Sequence, residues 1–156
     1  MKQDQRAIFI TTLVLLTLGA YLRLNQFMDQ VLLDDEWHVV HQLLAGMSPA
    51  DMFFTFGNAD YSIPLGMLYW LESHWFGLSE FSMRWPMLLA GIGLLIGFSV
   101  YTWKTFSPRV ALILGLFLAM SPMLVIYSHM ARPYALTLLF SYLGLFTFYQ
   151  YFSGKT

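Results

Sequence analysis

Residues 85–103 read WPMLLAGIGLLIGFSVYTW, a run of 19 residues without a charged side chain. An α-helix rises about 1.5 Å per residue, so about 20 apolar residues cross the roughly 30 Å hydrocarbon core of a bilayer. The run is therefore predicted to be a membrane-spanning helix. The composition agrees, because 58% of all residues are hydrophobic and only 11% are charged, whereas about a quarter are charged in soluble domains.

Three further stretches are long and apolar enough to cross a bilayer. The four predicted spans are 7–27, 85–103, 110–127 and 134–152. A fifth apolar stretch, 63–78, is shorter and carries Glu72 and His74, which are costly in lipid. We interpret it as an interfacial or re-entrant helix. The predicted fold class is an all-α integral membrane protein with about four transmembrane helices and interfacial amphipathic helices in the first loop.

Charge is sorted along the chain. Eight of the nine acidic residues lie between positions 24 and 83, where there is no Lys or Arg, and the net charge of −1 gives no basic footprint for nucleic acid. With four spans, most basic residues share one side, which the positive-inside rule assigns to the cytoplasm: Lys2, Arg6, Lys104, Arg109 and Lys155. The N-terminus is then cytoplasmic. The acidic loop 28–84 and the turn around 128–133 are expected to face outward.

The acidic loop contains an amphipathic stretch over 34–45. At 100° per residue, its polar residues share one side: Asp34, Asp35, His38, His41 and Gln42. Its apolar residues share the other: Trp37, Val39, Val40, Leu43 and Leu44. This pattern predicts a helix that lies flat on the bilayer with its polar side in an aqueous cleft. An ordinary solvated helix face is the alternative interpretation of these acids.

Two chemistries compete for the polar side of this helix. His38 and His41, with Asp34 and Asp35 nearby, could hold a divalent cation. Asp34 or Asp35 could instead act as a general base for a hydroxyl without any metal. The chain has no cysteine, which excludes a thiolate nucleophile and a Cys-ligated zinc site.

Two other positions are candidate site residues. Asp60 precedes Pro64 and is expected either to cap the following helix or to face the same cleft. Arg132 lies between the last two predicted spans. Its planar guanidinium suits a phosphate, either of a lipid headgroup or of a lipid-linked substrate. Simple snorkelling to headgroups is the alternative.

In this order, the segments resemble the N-terminal region of GT-C glycosyltransferases, the membrane family that includes protein O-mannosyltransferases and lipid A aminoarabinose transferases. The resemblance covers most of the chain and looks like the bacterial branch of dolichyl-phosphate-mannose protein mannosyltransferase-like proteins. It rests on the pair Asp35-Glu36 after the first span, and then on PLGMLYW at 64–70, FGLSEF at 76–81 with Arg84, Ser121-Pro122 and YSHMARPYAL at 127–136.

The resemblance implies inverting transfer of a sugar from a polyprenyl-phosphate donor to a hydroxyl of a glycan, lipid or protein acceptor. The expected location is the outer face of a bacterial inner membrane. It implies that Asp35 is the acid nearest catalysis, with Glu36 beside it, and that Arg132 and Tyr134 line the cavity. Asp34 and Asp60 are further candidate substrate-binding residues.

Members of this family have more spans than four. We therefore expect residues 1–156 to be the N-terminal part of a larger GT-C membrane domain that is inactive alone. The alternative function is a non-catalytic membrane scaffold or accessory subunit, which would explain the helices without explaining the acidic loop. A transporter is less favoured, because the charged residues lie at predicted span ends or in the loop.

Overall fold

The computed structural model describes residues 3–29, 32, 34–54 and 62–154, without the side chains of Asp34 and Asp35. Within these ranges the chain is all-helical and has no strand. This confirms the prediction of an all-α protein. Eight helices follow one another there: α1 (Gln3–Leu24), α2 (Asp34–Leu44), α3 (Pro49–Phe54), α4 (Ile63–Trp75), α5 (Glu80–Thr105), α6 (Pro108–Met120), α7 (Pro122–His129) and α8 (Tyr134–Phe152).

Three helices, α1, α5 and α8, are each long and apolar enough to cross a membrane. Helices α6 and α7 pass the same test only together, and they meet at a bend of 57°. The continuous helix predicted over 110–127 is therefore broken. Pro122 explains the position of the break, because proline has no backbone N–H and its ring clashes with the preceding turn. The described residues thus contain three to four candidate spans.

Helix α5 is the centre of the bundle and packs against α1, α6, α7 and α8. It begins at a capping box, in which the Ser79 hydroxyl accepts from the Ser82 N–H at 3.1 Å and the Ser82 hydroxyl accepts from the Ser79 N–H at 2.8 Å. This box satisfies two backbone donors that would otherwise be unpaired. As a result α5 starts five residues before the predicted span over 85–103.

The broken span is held by a buried arginine of α1. Pro122 cannot donate to the Leu118 carbonyl, and the Arg23 guanidinium donates to that oxygen instead, from Nη2 at 2.8 Å. Its Nη1 donates to the Gly19 carbonyl at 2.9 Å. The His129 ring, at the end of α7, donates from Nε2 to the Arg23 carbonyl at 2.7 Å. Arg23 therefore ties α1 to both halves of the broken span.

Two glycines let backbones approach closely. A Cβ added at Gly19 would lie 2.8 Å from Ala119 Cβ, so α1 and α6 touch there. A Cβ added at Gly91 would lie 2.0 Å from Ser128 Oγ and 2.8 Å from Ser128 Cβ, so α5 and α7 touch as well. Close approach through small residues is typical of helices packed in lipid, where dispersion forces drive association.

Helix α2 packs on the protein through part of its apolar side. Val39 and Val40 are buried in one cluster with Leu65 and Tyr69 of α4 and with Met87 of α5. This part of α2 thus completes a protein core at one end of the bundle, whereas Trp37 and Leu44 are exposed, so the interfacial position of α2 stays a prediction. The amphipathic pattern could not distinguish these two partners, because lipid and protein cover an apolar helix face equally well.

Gly91→Ala should destabilise the fold. The added methyl group meets Ser128 Cβ, which cannot rotate away, and overpacking of this kind costs about 1–3 kcal/mol. The matched control is Gly97→Ala on the same helix, where nothing lies within 4 Å of the added Cβ. Thermal unfolding in detergent, followed by circular dichroism, should show a lower midpoint for the Gly91 variant only. Equal midpoints for the two variants would contradict the close α5–α7 contact.

Candidate functional site

Glu36 links the acidic loop to the turn between α7 and α8. It lies in the first turn of α2 and is 2% exposed. Its Oε1 accepts a hydrogen bond from the backbone N–H of Ala131. A buried carboxylate is costly unless it is paired and hydrogen-bonded. The contact joins residues 95 positions apart in sequence, so it fixes where α2 sits on the bundle.

Arg84 supplies the opposite charge. It lies one turn into α5 and is buried, with its Nη2 at 3.9 Å from Glu36 Oε2 and its Nη1 at 3.9 Å from Glu80 Oε2. Glu80 is 46% exposed at its side chain, whereas the Glu36 side chain is 1% exposed. Coulomb attraction is weaker near water than in the protein interior. Of these two carboxylates, Glu36 is therefore the stronger partner of Arg84.

Tyr69 lies among these charges. The residue is fully buried, and its hydroxyl donates to the Met83 carbonyl at 2.9 Å. Burial raises the pKa of Tyr69 strongly, the negative charges of Glu72 and Glu36 raise it further, and Arg132 and Arg84 act in the opposite direction. The hydroxyl therefore keeps its proton at physiological pH and remains a hydrogen-bond donor.

Glu72 is a second buried carboxyl group of α4. It is 4% exposed. Burial raises the pKa of Glu72 from 4.5 to about 7, against an opposing hydrogen-bond contribution from Trp85. Desolvation disfavours the charged form of an acid, so this group is about half protonated near neutral pH.

Arg132 completes the group on the side of the α7–α8 turn. It is 8% exposed, and its guanidinium carbon lies 5.7 Å from the centroid of the Tyr134 ring, within the range of a cation–π interaction. The Tyr134 ring in turn lies 4.7 Å from the Tyr127 ring. Tyr69 and the four buried charged residues that act on its hydroxyl are referred to as the polar cluster: Glu36, Tyr69, Glu72, Arg84 and Arg132.

The structure brings together only some of the predicted site residues. Glu36, Arg132 and Tyr134 meet at the polar cluster or beside it. The backbones of Asp34 and Asp35 begin α2 directly before Glu36, but their side chains lie outside the described part of the protein. Asp60 lies outside the described residues altogether. The N-cap position of α4, proposed for Asp60, is occupied by Ser62.

The candidate metal ligands do not form a ligand set by themselves. His41 is exposed and its ring lies 6.0 Å from the Trp37 ring, while His38 is half-buried. Among the side chains that the structure describes, no three His, Asp or Glu residues stand together as a metal site. A divalent cation held with Asp34 or Asp35 therefore stays a prediction.

Sequence reasoning missed the buried roles of Arg23, Tyr69, Glu72 and Arg84. One signal was available, since a charged residue within or beside an apolar span is expensive and needs a buried partner. Arg23 and Arg84 both fit that rule. The identity of the partners was not available from the sequence, because Leu118, Glu36 and the arginines are brought together only by the packing of the helices.

Comparison with known proteins adds no relative. No protein-family model matches the chain, no curated protein matches it, and no solved structure matches it.

Glu36→Ala should destabilise the protein far more than Glu80→Ala. Removal of Glu36 leaves Arg84 buried without its main counter-charge and the Ala131 N–H without its acceptor, and loss of one partner of a buried pair costs about 3–5 kcal/mol. Glu80 touches the same arginine near the surface, where an ion pair contributes about 0–1 kcal/mol. Chemical unfolding in mixed micelles measures the free energy of unfolding of the two variants and of the wild type. Similar losses for the two variants would show that Glu36 does not anchor the loop.

Glu72→Gln should remove a pH dependence of stability. A carboxyl group whose pKa is higher in the folded state stabilises the fold fully below its unfolded pKa, near 4.5, and this contribution is lost as the pH rises through about 7. Between these two pH values the free energy of unfolding of the wild type should fall by on the order of 1–2 kcal/mol relative to that of the glutamine variant, after a discount for solvent screening. Thermal midpoints of both proteins at pH 5 and pH 8 test this. Parallel pH profiles would contradict it.

Proposed function

We propose that this chain is part of a GT-C glycosyltransferase that transfers a sugar from a polyprenyl-phosphate donor to an acceptor hydroxyl. One observation carries the proposal: the hydrogen bond from Ala131 to Glu36 joins the acidic loop to the turn that contains Arg132. A transferase of this kind needs a carboxylate for the acceptor and a cation for the donor phosphate within one site. The contact supports that requirement at one end of the bundle.

Asp35 is the proposed base. Because the Glu36 side chain is held by Ala131 and Arg84, it is already engaged and serves to position the first turn of α2. The backbone of Asp35 is then fixed at the same end of the bundle as Arg132. In the proposed step the acceptor oxygen attacks the anomeric carbon, the bond from that carbon to the phosphate oxygen breaks, and the phosphate keeps the electron pair. The hydroxyl proton goes to Asp35.

Arg132 is the proposed phosphate contact. A guanidinium is always charged and presents several N–H donors that match phosphate oxygens. Its position over the Tyr134 ring, with 8% of the residue exposed, supports a preorganised and nearly dry site, in which a charge interacts more strongly than in water. A phosphate leaving group is already anionic and stable, so a positioned cation can assist its departure without a general acid.

The location follows from the same proposal. Three to four apolar helices of spanning length support a membrane protein. Placement in a bacterial inner membrane, with a cytoplasmic N-terminus and the polar cluster on the outer face, rests on the distribution of basic residues and on the family resemblance. The partners are then a polyprenyl-phosphate-linked sugar and a glycan, lipid or protein acceptor.

A non-catalytic membrane scaffold is the second candidate. The contacts of Glu36 favour the scaffold function, because a buried carboxylate paired with Arg84 and Ala131 has a structural role that requires no reaction. The scaffold function assigns no role to Asp35. The two candidates therefore differ in what they predict for Asp35.

Asp35→Asn distinguishes them. The open reading frame is expressed in membranes up to its natural stop codon and supplied with radiolabelled sugars on polyprenyl phosphate. Loss of a general base lowers turnover by about 10²- to 10⁴-fold, while the amount of folded protein should not change. The matched control is Asp29→Asn, an exposed acid of the same loop, which should keep full turnover. Wild-type membranes without transfer from any donor, or equal turnover in both variants, would refute the proposal.

A further inference from the structure

A long apolar groove lies between α1 and α5. Its volume is about 680 Å³, and it is lined by residues from Phe9 to Leu24 of α1 and from Ile96 to Lys104 of α5. Both helices are candidate membrane spans. The groove therefore opens to the hydrocarbon region of a bilayer, where something apolar must fill it.

The floor of the groove carries hydroxyl groups that are already satisfied. Thr12 donates to the Ile8 carbonyl at 2.8 Å, Thr17 donates to the Leu13 carbonyl at 2.9 Å, and Ser99 donates to the Leu95 carbonyl at 2.7 Å. Each hydroxyl thus uses its proton within its own helix, and these small side chains deepen the groove without making it polar. Hydrocarbon is then a better occupant than water or a polar group.

The dimensions fit one hydrocarbon chain. The lining extends about 22 Å along α1, from Phe9 to Leu24, and about 12 Å along α5, from Ile96 to Lys104. A volume of about 680 Å³ over these lengths corresponds to a groove about 6–9 Å across. A polymethylene chain is about 4–5 Å wide, because non-bonded carbons approach to about 3.5–4.0 Å. An α-helix with its side chains is about 10–12 Å wide and cannot enter. The groove is therefore wide enough for a lipid chain and narrower than a transmembrane helix.

One end of the groove is cationic. Lys104 lies there and is exposed, beside Trp103, whose ring packs edge-on against Phe9 at 5.9 Å. The opposite end is formed by Tyr21 and Leu24, and Lys104 is the charged residue among the described groove-lining side chains. A lipid with its chain in the groove would place its headgroup at Lys104. An ammonium group at a membrane surface favours an anionic headgroup.

We propose that the groove between α1 and α5 binds one acyl chain of an anionic phospholipid whose phosphate is held by Lys104. The lipid belongs to the leaflet at the Lys104 end of the two helices. This site is separate from the proposed transfer reaction, since none of the residues of the polar cluster lines it. The bound lipid would fill the space between the two spans and would stabilise the protein in membranes rich in anionic lipid.

Trp103 provides the test, because bromine atoms on an acyl chain quench the fluorescence of a nearby tryptophan. The protein is reconstituted in phosphatidylcholine vesicles that contain the same mole fraction of either brominated phosphatidylglycerol or brominated phosphatidylcholine. The signal of Trp103 is the difference between the wild type and Trp103→Phe. Phosphatidylglycerol should bind about three- to fivefold more strongly than phosphatidylcholine.

Lys104→Gln should abolish that preference while Trp103 is still quenched, because the groove itself is unchanged. Arg109→Gln is the matched control, since Arg109 is an exposed cation near the same end but does not line the groove. It should keep the preference. The proposal is overturned by equal quenching from both lipids in the wild type, by a preference that survives Lys104→Gln, or by an unquenched Trp103, which would mean that protein covers the groove.

Discussion

The bundle depends on a backbone carbonyl that proline leaves without a donor. Pro122 interrupts the third predicted span, and the Leu118 oxygen accepts a hydrogen bond from the Arg23 guanidinium instead, at 2.8 Å. Within a membrane no water is available to satisfy such a group, so protein must do so. The same arginine residue accepts from His129 through its own carbonyl. A charge that would be costly in the first span is thereby used to fix the position of the two helices after the break.

That arrangement has consequences for the loop. Because α7 is held against α5 and α1, the turn after His129 presents the Ala131 N–H to Glu36, and α2 docks at the same end. The polar cluster is therefore built on the broken span and not on the loop alone. Its two carboxyl groups differ: Glu36 is engaged by a charge and a backbone donor, whereas burial raises the pKa of Glu72 to about 7. One acid stabilises the assembly, and the other can change its charge near neutral pH.

Much of the architecture could be predicted because the membrane imposes it. A span must be about 20 apolar residues long, and the runs that become α1, α5 and α8 meet that condition within a few residues at either end. Asp35-Glu36 was selected through the resemblance to GT-C glycosyltransferases, and Arg132 because it is the only Lys or Arg in the predicted outer turn. The docking of α2 was not predictable, since its apolar side could have been covered by lipid. Its partners Leu65, Tyr69 and Met87 come from distant segments.

The sequence by itself determined that the protein is helical, that it belongs in a membrane and where its charges concentrate, because these properties depend on local composition and on hydrogen bonds within each helix. Tertiary structure decided which of those charges meet. Arg23 with Leu118, and Glu36 with Arg84 and Ala131, join residues far apart in the chain, and such pairs exist only after the helices pack. The physical reason is that the desolvation free energy of a buried charge depends on that residue alone, whereas the partner that offsets it is brought into contact only by the packing of the helices.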